Sequence, residues 1–210
     1  MKGAIFDVDG TLLDSMDAWF NVTLSFFKEN NINFSEKQLE EFKAMTLEES
    51  LPMIKHDYNL TLSVEEIFDI FKTKVAYEYS NNIPLKKGAK EYLEKLRNEG
   101  VKIALATSGY EGLCKTAFTR LGIWEYIDAC AFSSEVGVNK SNPDVYLLAA
   151  KRIGIHPSSC TVYEDIPLGI EGAKKGGFFT CAVADSSNKN EWDNLKKISD
   201  MYISDYTELL

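Results

Sequence analysis

The sequence predicts an α/β fold: a parallel β-sheet with helices on both faces, interrupted after its first strand by a long, all-helical insert. Two observations lead there. Short apolar runs recur along the chain, each followed by an amphipathic stretch of helical period, which is the signature of strands buried on both faces and linked by crossover helices. Between the first and second runs, however, the period is helical throughout and no strand pattern appears. The length of 210 residues, 45% hydrophobic and 26% charged, is ordinary for a globular chain with a substantial core.

The elements can be justified in order. Residues 4–8 form the first apolar run. From 15 to 82 the spacing becomes helical, with Trp19, Phe20, Leu24 and Phe27 three and four residues apart. Further helices are expected over 35–45 and 63–79, because Ser35 with Gln38 and Ser63 with Glu66 each read as a capping box. A helix over 87–98 closes at Gly100, and the strand at 101–108 ends in a polar turn. Next come a helix at 111–121, a short strand at 127–132 and a helix at 142–154 with Gly154 beyond its end. A strand at 159–165, a helix at 169–177, a strand at 178–185 and a last strand at 201–205 complete the alternation.

Several classes of function are excluded by composition. A formal charge of -9 offers no basic surface to nucleic acid or anionic membrane. No apolar run reaches the roughly 18 residues of a membrane span. The opening "MKGAIFDVDG" lacks a leader pattern, so a cytoplasmic protein is expected. Cys114, Cys130, Cys160 and Cys181 are widely spaced, with no Cys-x-x-Cys, and read as buried thiols in a reducing compartment.

In a parallel sheet, ligands bind at the carboxyl ends of the strands, and that is where this sequence gathers its polar groups. The first strand ends in Asp7-Val8-Asp9-Gly10-Thr11 and the second in Thr107-Ser108-Gly109. A loop beyond the third carries Lys140, and the fourth ends in Glu164-Asp165. Each group alone has an ordinary explanation: a turn, a helix cap, a solvated lysine, or acids answering a helix dipole. Together they fit phosphoryl transfer. Asp7 and Asp165 suit a hard octahedral Mg²⁺, which also relieves the repulsion between crowded carboxylates. Thr107 and Lys140 would hold phosphoryl oxygens. One carboxylate could attack phosphorus while a second beside it shuttles protons.

These residues resemble the motifs of the haloacid dehalogenase superfamily of phosphatases and phosphomutases. The likeness is to the branch of beta-phosphoglucomutase and phosphoglycolate phosphatase, which carries a helical cap. "DVDGTLLDS", "ALATS", "GVNKSNPDVY" and "VYEDIPLGIEGAKKGG" appear in the family's order from end to end. The resemblance implies a Rossmann-like core formed by 1–14 and 83–210, with a helical cap over 15–82. It implies Asp7 as nucleophile and Asp9 as general acid/base, with the Asp9 backbone carbonyl also on the metal. Thr107, with the Ser108 backbone amide, and Lys140 would bind phosphate. Asp165 would be a Mg²⁺ ligand and Glu164 an outer partner. Three positions depart from the usual pattern: Ser141 after the lysine, "KKG" at 86–88, and Ile166-Pro167 after the acidic pair.

The implied substrate is a small phosphorylated metabolite, a sugar or polyol phosphate. The implied protein is a monomer or weak dimer that binds neither nucleic acid nor membrane. A phosphomutase of the beta-phosphoglucomutase type is the alternative. Those mutases use a cap arginine and a histidine in the first cap helix. Here no arginine precedes Arg97, and Trp19 and Asn21 stand where that histidine would fall. Lys43, Lys72 and Lys74 could bind a second phosphate, less selectively. Hydrolysis of a C–Cl bond would leave the second aspartate and the metal without a purpose. A non-enzymatic receiver-like signalling protein is opposed by the helical insert, and a protein that only binds phosphate by the absence of any substituted catalytic position.

Overall fold

The computed structural model describes residues 1–33, 35, 38 and 47–210 of the chain. Six strands form one all-parallel sheet: β1 (Gly3–Phe6), β2 (Lys102–Thr107), β3 (Ala129–Phe132), β4 (Cys160–Glu164), β5 (Phe179–Val183) and β6 (Met201–Ile203). Their order is β3-β2-β1-β4-β5-β6. From β1 the chain builds outward to β2 and β3 on one side, then to β4, β5 and β6 on the other. The strand order therefore reverses at β1, and the crevice beyond its carboxyl end is the place where such sheets bind ligands.

The strands are shorter than the apolar runs suggest. β1 stops at Phe6: Asp7 still donates its N–H to the Tyr163 carbonyl of β4, but Val8 starts a loop in which Leu12 and Leu13 donate backbone hydrogen bonds to its carbonyl. Successive side chains of β1 face opposite layers. Ile5 packs with Ala104, Ala106, Val145, Ala149 and Val162 under the helix Asp144–Ile153. Phe6 faces the other way, stacked on Tyr163 at 4.4 Å between ring centroids, with Tyr92 and Tyr206 closing that layer. Tyr92 comes from the helix Ala89–Asn98 and Tyr206 from the last turn of the chain. Helices thus cover both faces.

The described residues fall into two compact units, Met1–Met16 with Tyr79–Leu210, and Asp17–Glu78. We number the helices α1 (Met16–Glu29), α2 (Leu47–Asp57), α3 (Val64–Asn81), α4 (Ala89–Asn98), α5 (Glu111–Arg120), α6 (Ser133–Val136), α7 (Asp144–Ile153), α8 (Pro167–Lys175) and α9 (Trp192–Ile198). Within Asp17–Glu78, no strand occurs among the described residues. That unit packs Phe26 against Phe71 with centroids 5.0 Å apart, and Phe27 against Tyr58.

Both expected capping boxes form. Gln38 N donates to Ser35 Oγ while Ser35 N donates to the Gln38 side chain, and Ser63 and Glu66 exchange the same pair of bonds. Apart from Ser35 and Gln38, the helix expected over 35–45 lies outside the described residues. α6 and α9 have no counterpart in the periodicity, whereas α2 falls within the stretch 15–82 read as helical, without bounds of its own, and runs through Pro52. α8 starts two residues before the expected position, because Pro167 occupies its first turn, where its missing N–H costs nothing.

Candidate active site

The carboxyl edge of the sheet brings the predicted polar residues together at the ends of β1, β2 and β4. Asp7 is the first residue past β1. It is buried, and its backbone N–H donates 3.0 Å to the Tyr163 carbonyl of β4. The loop that follows turns sharply: Gly10 has φ +81°, and a Cβ there would lie 2.4 Å from Asp165 Oδ2. Position 10 therefore excludes a side chain on two grounds, the left-handed backbone and the approach of the acid.

Lys140 reaches the same point from the loop between α6 and α7. Its ammonium is buried, donates to Asp7 Oδ1, and donates 2.5 Å to Glu164 Oε1. Burial alone would lower the lysine pKa. The Asp7 and Glu164 carboxylates outweigh that and hold it above its ordinary value. What brings the loop so near is Gly172 in α8, where a Cβ would fall 1.9 Å from the Lys140 carbonyl oxygen.

Asp9 sits in a different environment. It meets no cation. Its Oδ1 accepts 2.6 Å from Ser15 Oγ and accepts from the Tyr79 hydroxyl. Burial raises its pKa, with a further push from Asp7, against the lowering effect of those two donors. The Thr107 turn borders it: a Cβ on Gly109 would lie 3.3 Å from Thr107 Oγ1 and 3.4 Å from Asp9 Oδ2. Thr107 is buried, and its Oγ1 accepts from Gly109 N at 2.9 Å. The Ser108 side chain stands apart, exposed and 3.0 Å from Ser133 Oγ.

Asp7, Glu164 and Asp165 each offer a carboxylate oxygen, all within 4.8 Å of one another and all buried. Three carboxylates against one lysine leave excess negative charge in a dry place. The carboxyl of Asp165 is pushed well above its usual range by burial, then by Asp7 and Glu164. Glu164 is pushed up to about 7, by burial first. Glu164 Oε2 is buried without a hydrogen-bond partner. A set of oxygen donors with uncompensated charge and a spare lone pair fits a hard divalent cation. Glu164 lies within this cluster as well as on Lys140 and the Tyr146 hydroxyl, 2.8 Å away. The Asp9 carboxylate is not part of the cluster.

Several partners went unread in the sequence. Thr11 Oγ1 donates 2.8 Å to Asp165 Oδ1, and Asn188 Nδ2 donates 3.0 Å to Asp165 Oδ2. Ser15 and Tyr79 on Asp9, and Tyr146 on Glu164, complete the set. Thr11 lies inside the "DVDGT" stretch and could have been noted there. The others are ordinary residue types at no diagnostic spacing. His56 and His156 are exposed. Cys114, Cys160 and Cys181 are buried free thiols, whereas Cys130, on the edge strand β3, is only half-buried.

Residues 4–183 match the protein family described as haloacid dehalogenase-like hydrolase. Among curated proteins, the chain is 28% identical over 181 residues to the phosphorylated carbohydrates phosphatase of Thermotoga maritima, covering 84% of this chain and 82% of that one. It is 27% identical over 190 residues to the beta-phosphoglucomutase of Bacillus subtilis, covering 87% and 83%. The crystal structure of CbbY from Rhodobacter sphaeroides in complex with phosphate has the same fold, with a TM-score of 0.82 at 21% identity, covering 100% of this chain and 96% of that one.

Proposed function

Because the chain belongs to the haloacid dehalogenase-like hydrolase family and is a phosphoric monoester hydrolase, we propose that it hydrolyses a small sugar or polyol phosphate through a phosphorylated Asp7. One observation carries this reading. Two aspartates a single residue apart have unlike surroundings: Asp7 is gripped by the Lys140 ammonium, whereas Asp9 is hydrogen-bonded by the neutral hydroxyls of Ser15 and Tyr79 and has a raised pKa. Two acids held so differently suit two roles, nucleophile and proton donor.

An Asp7 carboxylate oxygen attacks phosphorus as the bond to the leaving oxygen breaks, and Asp9 delivers its proton to that oxygen. Asp9, now ionised, then takes a proton from the water that attacks phosphorus. Phosphate leaves and the Asp7 carboxylate is restored. Thr107, the Ser108 amide and Lys140 hold the phosphoryl oxygens. Asp7, Asp165 and the Asp9 backbone carbonyl would hold Mg²⁺, which neutralises charge between the phosphoryl group and the carboxylates. Glu164 orients Lys140 and adds negative charge beside that cation.

Hydrolase is favoured over mutase by the cations of the insert, unit Asp17–Glu78, which we read as the cap. A mutase must grip a second phosphate, best with arginine, and no arginine precedes Arg97. Of the three lysines that could replace it, Lys74 is already paired with Glu29 at 2.7 Å and donates to Ser25 at 3.1 Å. Lys43 lies outside the described residues. The names of the relatives, a carbohydrate-phosphate phosphatase and a hexitol phosphatase among them, support the substrate class. The test is phosphate release from a panel of sugar, polyol, glycolate and nucleotide phosphates, with Mg²⁺ and with excess chelator. Turnover of sugar or polyol phosphates that stops in chelator is expected; undiminished turnover in chelator, or release confined to nucleotides, would refute the proposal.

A further inference from the structure

We propose that Asn188, on the turn after β5, is a positioning residue for the metal-ligand carboxylate of Asp165, and that Lys86 anchors both donors that fix this carboxylate. The assignment rests on the metal reading above and concerns residues that no family motif covers.

The geometry is specific. Asn188 Nδ2 donates 3.1 Å to the Asp165 backbone carbonyl and 3.0 Å to Asp165 Oδ2. On the other side, Thr11 Oγ1 donates 2.8 Å to Oδ1. Each carboxylate oxygen therefore accepts one bond and keeps another lone pair for a cation. The two bonds together fix the rotation of the carboxylate plane. Both donors are neutral. A lysine there would compete with a metal ion, as Lys140 does by pairing with Asp7 and Glu164. An amide and a hydroxyl orient the ligand without replacing the ion.

Asn188 is held by its own turn. Asp185 caps this turn, accepting 2.8 Å from Ser187 N and 2.5 Å from Ser187 Oγ, while Asn188 N donates 3.3 Å to the Asp185 carbonyl. The Asp185 side chain is 0% exposed. A carboxylate so placed needs a cation, and Lys86 supplies it. The same Lys86 donates its backbone N–H, at 2.8 Å, to the Leu12 carbonyl, next in sequence to Thr11. One residue thus ties down the loop that carries Thr11 and the turn that carries Asn188. Lys86 opens the "KKG" stretch, which departs from the family's usual sequence.

The experiment is a Mn²⁺ titration followed by electron paramagnetic resonance, run beside thermal melting in chelator. Asn188→Ala and the better-filling Asn188→Leu should each weaken Mn²⁺ binding about tenfold, and Lys86→Met should weaken it several-fold. Melting in chelator should hold for the Asn188 variants, and kcat should recover at saturating Mg²⁺, since no reacting group is lost. Parent-like Mn²⁺ affinity in both Asn188 variants would overturn the positioning role, and parent-like affinity in Lys86→Met would overturn the anchor. A purely structural role would lower the melting temperature in chelator and leave the affinity of the folded protein unchanged, which also overturns the proposal. If the parent itself bound no Mn²⁺, the metal reading would fail and this inference with it, an outcome distinct from parent binding with unaltered variants.

Discussion

Gly172 offers a substitution in which two physical effects oppose each other and the structure decides the winner. Glycine inside a helix is a poor helix former, so Gly172→Ala should stabilise by about 1 kcal/mol on propensity alone. Yet the added Cβ would sit 1.9 Å from the Lys140 carbonyl oxygen, 3.0 Å from its carbon and 3.1 Å from the Asn142 oxygen. These are backbone atoms, which no rotamer change can clear. The loop must retreat from α8 by about 1 Å to restore van der Waals distance, and overpacking of this kind costs about 1–3 kcal/mol. The net expectation is destabilisation of up to about 2 kcal/mol, seen as a melting temperature lower by up to roughly 8 °C for a chain of this size.

The displaced loop carries Lys140, whose ammonium joins Asp7 to Glu164. A shift of about 1 Å in such a group costs about a hundredfold in kcat. Melting curves and steady-state kinetics on the purified variant measure both. A Gly172→Ala protein that melts at or above the parent temperature, with kcat within about twofold of it, would refute the reasoning.

Other perturbations have expected outcomes of their own. Asp7→Asn should fold as the parent does and lose all measurable turnover, because an amide cannot form the acyl phosphate; substantial residual activity would reassign the nucleophile. Asp9→Asn should lower the rates of both steps by about 10²–10⁴-fold, the usual worth of a positioned acid/base, as single-turnover kinetics would report. Asp165→Ala should abolish tight Mn²⁺ binding in a paramagnetic titration while leaving the melting temperature in chelator unchanged or higher, since it removes a buried like charge. The Glu135 carboxylate is held down at about 2 by Arg152. This pair contributes stability above the ordinary carboxylate range that disappears as pH falls through about 2. About a third of each side chain is exposed, which limits the pair to below about 1 kcal/mol. Arg152→Met should lower stability at pH 7 by that small amount and flatten the dependence below pH 4 in urea titrations.

How much of this was legible in the sequence varies with the range of the interactions. The strands were, because residues such as Ile5, Val162 and Ala182 are buried on both faces of the sheet and make unbroken apolar runs. Ser35 with Gln38 and Ser63 with Glu66 were, because a capping box is written within four residues. Asp7, Asp9 and Asp165 were, because strand ends of a parallel sheet must share one edge, and Lys140 was, as a cation in the loop that follows the third strand. Helix α2 was legible only as part of the helical stretch 15–82, with no bounds of its own. Tyr79 on Asp9 and Asn188 on Asp165 were not, because they arrive from 70 and 23 residues away. Nothing local distinguishes that tyrosine from a core residue or that asparagine from a turn residue. Strand ends were overextended for a related reason: Val8 extends the apolar run in sequence but starts a loop in space.

The central claim is a phosphorylated Asp7, and chemical trapping tests it most directly. Asp9→Asn, which should slow release of the intermediate, is mixed with a phosphorylated sugar that the parent hydrolyses, in Mg²⁺, and quenched with borohydride. Borohydride reduces an acyl phosphate to the alcohol, converting that aspartate to homoserine. Peptide mass spectrometry should find homoserine at position 7 and nowhere else, and only when substrate is present. Unmodified Asp7 during demonstrable turnover, or the modification at Asp9 or Asp165 instead, would contradict the mechanism.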